Sequence, residues 1–176
     1  EKYTYRWSNE FTDNTGTIPT TRFTRFSTRL TGTAQINPVL NLTTTFNYIN
    51  TYNKTVSKGL SGYLMSLLRY PSRYDINDWQ DDMGNRVLHV GTIYSEFDNP
   101  LWEVNKNKKD DKTNRILANS NLKFTPTSWL VVNGTIGADI STTTGMQVYH
   151  AQSYSGSGSA GTPTGGSIVV YDRLSK

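Results

Sequence analysis

The sequence predicts an all-β chain, part of a transmembrane antiparallel β-barrel with long extracellular loops, and three observations predict it. Five stretches alternate apolar and polar residues with period two. The apolar face they share is thin in its middle and aromatic towards its ends. Short connections between stretches alternate with long ones.

The first stretch sets Tyr3, Tyr5 and Trp7 against Lys2, Thr4 and Arg6. The second, Arg25 to Ile36, places Phe26, Thr28, Leu30, Gly32, Ala34 and Ile36 on one side; Arg25, Ser27, Arg29, Thr31, Thr33 and Gln35 make the other side wholly polar. A short turn at Asn37-Pro38 leads into the third, with Leu40, Leu42, Thr44, Phe46 and Tyr48 opposed to Asn41, Thr43, Thr45 and Asn47, so the two pair as a hairpin. A second hairpin joins Arg115–Phe124 to Leu130–Ile140 through Thr125-Pro126-Thr127, again with period two.

Two architectures accept such strands. A soluble sandwich packs its apolar face with large branched residues and has loops of comparable length at both ends. Here the middle of the face holds Gly32, Ala34, Gly134 and Ala138, with Tyr48, Tyr52, Phe124 and Trp129 near the ends. That is the distribution of a lipid-facing surface with interfacial aromatics. About 55 to 60 residues separate Asn53 from Lys112, against a few at each short turn, as in barrels with short turns on one side and long loops on the other. The polar face then lines a wet lumen, with Arg25, Arg29, Asn41, Asn47, Asn119, Asn121 and Asp139 pointing inward. Five strands cannot close a barrel, for which about eight is the practical minimum. The remaining strands must come from partners or from a longer polypeptide.

Composition fits this reading and removes others. Only 35% of the 176 residues are hydrophobic, yet 11 Tyr, 6 Phe and 4 Trp are more rings than disordered chains carry, so some surface must take them up. The absence of cysteine excludes a disulfide framework and thiolate metal sites. The formal charge of +4 comes from 18 basic residues scattered among 14 acidic ones, not from a basic stripe, which argues against a nucleic-acid partner. No run approaches the roughly 18 to 20 apolar residues of a membrane helix, and EKYTYRWSNE has the form of neither a signal peptide nor a transit peptide. A membrane-crossing strand needs only about ten residues, every second one apolar.

Three runs carry a resemblance: "GTIPTTRFTRFSTRLTGTAQINPVLNLTTTFNYI", "GLSGYLMSLLRYPSRYDI" and "FDNPLWEVNKNKKDDKTNRILANSNLKFTPTSWLVV". In this order they resemble the barrel portion of SusC/RagA-type TonB-dependent transporters of Bacteroidetes outer membranes. The most specific piece is Phe97 to Arg115, with its Asn99-Pro100-Leu101-Trp102 start, Asn105-Lys106-Asn107 centre and Asp111–Arg115 exit into a strand. The resemblance implies a plugged barrel of about 22 strands in the outer membrane of a Gram-negative cell. It also implies a SusD-like surface lipoprotein as partner, the TonB complex acting through a plug region, and import of oligosaccharides or peptides. On this reading residues 1–176 are a partial barrel domain with outer loops at about 53–112 and 142–167, an excerpt lacking the plug and the remaining strands. A soluble β-sandwich adhesin module and a passive porin are the rival readings.

A transporter implies no catalytic residue and no cofactor, and His89 and His150 stand apart from any Ser, Cys or carboxylate at catalytic spacing. Asp75, Asn77, Asp78, Asp81 and Asp82 near Gly84 are acidic enough for calcium, but their spacing departs from the EF-hand loop and suits a solvated turn. Trp79, Tyr94, Trp102 and Tyr154 fall in the outer loops, where flat rings either stack on substrate, contact a lid protein or hold loops together. Leu60, Leu64, Leu67 and Leu68 recur at helical spacing before Pro71, as in a short amphipathic helix packed into its loop or docking the lipoprotein. The run SYSGSGSAGTPTGG, 153–166, has the composition of a mobile outer loop, and its glycines lack the Gly-Lys-Ser/Thr ending of a phosphate-binding loop.

Overall fold

The computed structural model describes residues 2–57, 62–89, 98–154 and 166–176. They form one antiparallel sheet in simple chain order, β1 (Tyr3–Thr15), β2 (Arg22–Asn37), β3 (Leu40–Thr55), β4 (Lys108–Thr127), β5 (Leu130–Tyr149) and β6 (Ser167–Ser175). Two short helices, α1 (Tyr63–Arg69) and α2 (Pro100–Lys106), lie in the long connection between β3 and β4. The sheet is open, with β1 and β6 at its edges. No helix among the described residues is long and apolar enough to cross a membrane, which says nothing about crossing by strands.

The all-β class expected from the alternation is what forms, with six strands instead of five. The register joins the expected faces: Tyr5 opposes Gly32, Leu30 opposes Phe46, Leu42 opposes Leu122, and Ile116 opposes Ile140. Directly opposed residues share a face, so the apolar positions form a single continuous surface. The tight turns sit at Pro38-Val39 and Ser128-Trp129, each beside a register shift, between Gln35 and Asn37 and between Phe124 and Thr127. At the first, Asn37 Oδ1 accepts from the Val39 N–H at 3.0 Å and so fixes the reversal locally.

Two expected boundaries are corrected. The loop taken as about 53–112 spans 56–107, and the one taken as 142–167 spans 150–166, because the ladder continues beyond the apolar band. Beyond Tyr48 and Ile116 the apolar face carries Asn50, Asn114 and Lys112 between Phe26 and Tyr52, so hydrophobic alternation weakens there while backbone pairing does not. β1 is extended for the same reason, ending at Asp13–Thr15, where Asp13 accepts from Arg22 Nε at 2.9 Å.

Burial is distributed unusually for a sheet of this size. The buried hydrophobic residues among those described are Val56, Trp102 and Val104, all in or beside the long loop. The apolar sheet face stays bare, with Tyr5 87% and Ile136 76% exposed and Trp7, Phe11, Leu30, Phe46 and Val170 also exposed. The opposite face is concave: one hollow of about 660 Å³ is bounded by residues of β2, β3, β4, β5 and β6 together. A sheet must curl towards a face for five neighbouring strands to enclose one hollow.

Candidate functional site

Two features stand at the long-loop end of the sheet: a packed loop cap, and below it the polar concave face. The cap is built on α2. Asn99 is its N-cap, accepting from the Leu101 N–H at 2.8 Å, and Pro100 occupies the first turn, where its missing N–H costs nothing. This fold turns Trp102 wholly inward, at 0% exposure. Its indole Nε1 donates to Ser153 Oγ at 2.8 Å, and Ser153 Oγ donates onward to Asn107 Oδ1 at 2.7 Å. His150 meets the Trp102 ring edge-on, with centroids 5.0 Å apart, and its backbone N–H also donates to Asn107 Oδ1.

A buried charge organises the other side. Asp98 accepts from Arg86 Nη1 at 2.5 Å and from the Tyr154 N–H at 2.8 Å, so one carboxylate joins three parts of the two loops. Gln152 adds a second link, accepting from the Arg86 N–H at 2.9 Å and donating to Asn85 Oδ1 at 3.1 Å. Asn99 Nδ2 donates to the Ile76 carbonyl and to the Tyr70 hydroxyl. Burial pushes the Tyr70 hydroxyl pKa up, against the Asn99 hydrogen bond, which lowers it; Asp78 and Asp75 nearby raise it further. The turn between β1 and β2 also joins the cap, through Thr20 Oγ1 donating to the Val104 carbonyl at 2.8 Å. Thr20 holds φ +68°, a costly left-handed conformation for a β-branched residue, to make that reach.

The aromatic candidates divide. Trp102 is no exposed platform: it anchors the loop cap. Trp79 is half-buried, edge-on to Trp102 at 6.2 Å, and Lys106 Nζ lies over both rings at 5.8 and 5.3 Å. Tyr154 is half-buried with its backbone tied to Asp98. Tyr94 lies outside the described residues. The segment 153–166, expected to be mobile, begins pinned at Ser153 and Tyr154; 155–165 lie outside the described residues.

The acidic turn is a hydrogen-bonded loop. Asp75 Oδ1 accepts from Asn77 N and Nδ2, while Asp81 accepts from the Met83 and Asn85 N–H groups and from Asn85 Nδ2. These bonds, the Asn85 side chain first, hold the Asp81 carboxyl below its usual range. Asp78 pairs with His89 Nε2 at 2.7 Å. Asp82 makes no such bond among the described residues, and no cluster of three or more His, Asp or Glu suited to a metal occurs among them. Helix α1 forms as expected but buries Ser66, leaving Leu64, Leu67 and Leu68 exposed, Leu68 at 72%. The expectation that its leucines pack the loop core is corrected for these three; Leu60 lies outside the described residues.

The seven polar candidates Arg25, Arg29, Asn41, Asn47, Asn119, Asn121 and Asp139 share one face. The register aligns Arg29, Asn47, Leu117 and Asp139 in one row, and Thr33, Thr43, Asn121 and Thr135 in another. Arg25 and Asp139 line the 660 Å³ hollow, and Arg29 and Asn47 a neighbouring one of about 260 Å³. Arg115 grips Asp139 with Nε on Oδ1 at 2.8 Å and Nη2 on Oδ2. Towards the cap, Tyr171 passes over Gly145 to donate to Asp111 Oδ1, beside a third hollow lined by Asn53, Lys109, Gln147 and Tyr149. An added Cβ at Gly145 would lie 2.2 Å from Tyr171 Cζ, so the ring could not keep this position over a larger residue.

Sequence reasoning missed the cap as a unit. The helix signal Asn99-Pro100 with Glu103 in the first turn was available in the segment Phe97 to Arg115, which was read only for its resemblance. β6 was also legible in Ile168-Val169-Val170-Tyr171, a β-branched and aromatic run following glycines. Compared with known proteins, the chain matches no protein-family model, and a search of curated proteins finds no match.

Proposed function

We propose that this chain forms part of the wall of an outer-membrane β-barrel of the SusC/RagA-type, TonB-dependent class. It imports oligosaccharides or peptides with a SusD-like lipoprotein over its outer loops. The observation that carries the proposal is the bare apolar face: Tyr5, Trp7, Leu30, Phe46, Ile136 and Val170 are exposed, while the buried hydrophobic residues among those described lie in or beside the loop cap. A soluble sandwich would cover that face, since a contiguous apolar surface of this extent in water promotes association. Lipid covers it at no such cost. The concave polar face, the tight turns at one end and the packed loops at the other support the same orientation. The choice of transporter class rests on the resemblance of the three quoted runs.

In this reading the strands are a fixed wall, and residues near the cap, with the hollow beneath it, meet the cargo first. The test is uptake of labelled oligosaccharide and peptide mixtures by cells producing the full-length protein. Uptake that stops when the proton-motive force is collapsed supports the proposal. Uptake that continues at the same rate assigns a passive pore, and a protein recovered in the soluble fraction assigns the sandwich.

A further inference from the structure

The cap is fastened unequally on its two sides. Towards the β5–β6 connection the bonds run through enclosed groups: Trp102 to Ser153, Asn107 to Ser153 and His150, and Asp98 to the Tyr154 N–H. Towards the turn between β1 and β2, the one hydrogen bond among the described residues is that of Thr20 Oγ1 to the Val104 carbonyl, at 2.8 Å. That carbonyl belongs to the last turn of α2, where backbone oxygens lack donors within the helix, so the hydroxyl satisfies it from outside.

The turn that presents Thr20 would be better served by another residue. Ile18-Pro19-Thr20-Thr21 closes with the Thr21 N–H donating to the Ile18 carbonyl at 3.3 Å, and Thr20 in the third position holds φ +68°. This is a type II turn, in which the third position ordinarily takes glycine because a β-carbon crowds the backbone there. Glycine would suit the turn but carries no hydroxyl; threonine strains the turn and reaches the cap. Thr20 therefore serves the contact with α2, not the turn itself.

We infer that Thr20 is a strap that holds the cap closed on the side of β1 and β2, and that the cap opens there while staying hinged on residues 150–154. Local opening follows the weakest attachment, here one hydrogen bond made by a strained residue. Opening on this side uncovers Val104 and gives solutes a way past the β1–β2 turn to the concave face. The inference rests on how the cap is fastened and is independent of what the protein carries.

The test reads the two sides of the cap separately in the full-length protein in bilayers, with any cysteine outside these residues replaced by serine. Val104, 2% exposed, is replaced by cysteine, and its labelling by a small thiol reagent reports the strap side. Exchange of the His150 and Tyr154 amides, bonded to Asn107 and Asp98, reports the hinge side. Thr20→Gly, which suits the turn and removes the hydroxyl, is expected to speed labelling about three- to tenfold, the effect of one ordinary hydrogen bond, and to leave both amides unchanged. Thr20→Ser, which keeps the hydroxyl, is expected to label no faster than the parent. Unchanged labelling in Thr20→Gly, equal acceleration in Thr20→Ser, or loss of protection at His150 and Tyr154 in the same proportion overturns the strap. Should Val104→Cys not fold, the distance between spin labels at Thr17 and Leu68, both exposed, replaces the thiol readout. A longer second population that grows in Thr20→Gly supports the strap, and an unchanged single population overturns it.

Discussion

The Trp102 indole and the Ser153 hydroxyl, 51 residues apart in sequence, meet at 2.8 Å and close the loop between β3 and β4 against the loop after β5. The cap therefore has its own core, separate from the sheet. Trp102→Ala is expected to cost about 3 to 5 kcal/mol of local stability, the usual penalty for emptying a buried tryptophan site. Trp102→Phe keeps most of the packing and loses about 1 kcal/mol for the hydrogen bond, because Ser153 still donates to Asn107. Hydrogen exchange of α2 reads both, with exchange in β2 and β3 unchanged.

Asp98 and Arg86 form the cap's buried ion pair, with the Asp98 side chain wholly enclosed. Asp98→Ala leaves Arg86 without this partner and releases the Tyr154 N–H, so a loss of about 3 to 5 kcal/mol is expected. Proteolysis within 150–154, absent in the parent protein, is the readout.

The turn at Asp81 titrates in a defined direction. Its folded pKa is lowered, so its contribution is fully present above the ordinary aspartate value of about 3.9 and is lost as pH falls through the lower folded value. Protection of the Met83 and Asn85 amides, measured relative to their intrinsic exchange, should fall on acidification below about pH 4, and Asp81→Asn should remove that dependence.

Gly145 and Tyr171 depend on each other. Gly145→Ala collides with the ring and is expected to cost about 1 to 3 kcal/mol while breaking the Tyr171–Asp111 bond. Combining it with Tyr171→Ala should cost less than the sum of the single variants, and thermal unfolding of the four proteins measures this coupling.

The faces of the sheet were legible because period two is written into side-chain polarity: Leu30, Phe46, Leu122 and Ile136 lie on the face expected of them. The strand ends were not, because Thr142-Thr143-Thr144 pairs through backbone groups that leave no hydrophobic trace. The cap was illegible for a different reason. Its partners Trp102 and Ser153, or Asp98 and Tyr154, come from separate loops, and no local pattern announces a contact of that separation. Asp139 was placed on the polar face as a separate residue, but its pairing with Arg115 emerged only from the register.

The central claim, that the apolar face meets lipid and the concave face water, is tested most directly by paramagnetic accessibility. The 176 residues hold no cysteine, so single cysteines can replace Leu30, Phe46 and Ile136 on one face and Thr31, Asn47 and Thr135 on the other, each carrying a spin label in the protein in bilayers, with any cysteine outside these residues first replaced by serine. Strict alternation is expected, with the first set relaxed by oxygen and the second by a water-soluble nickel chelate. Equal nickel accessibility on both faces, or a first set shielded from both reagents as in a packed core, would contradict it.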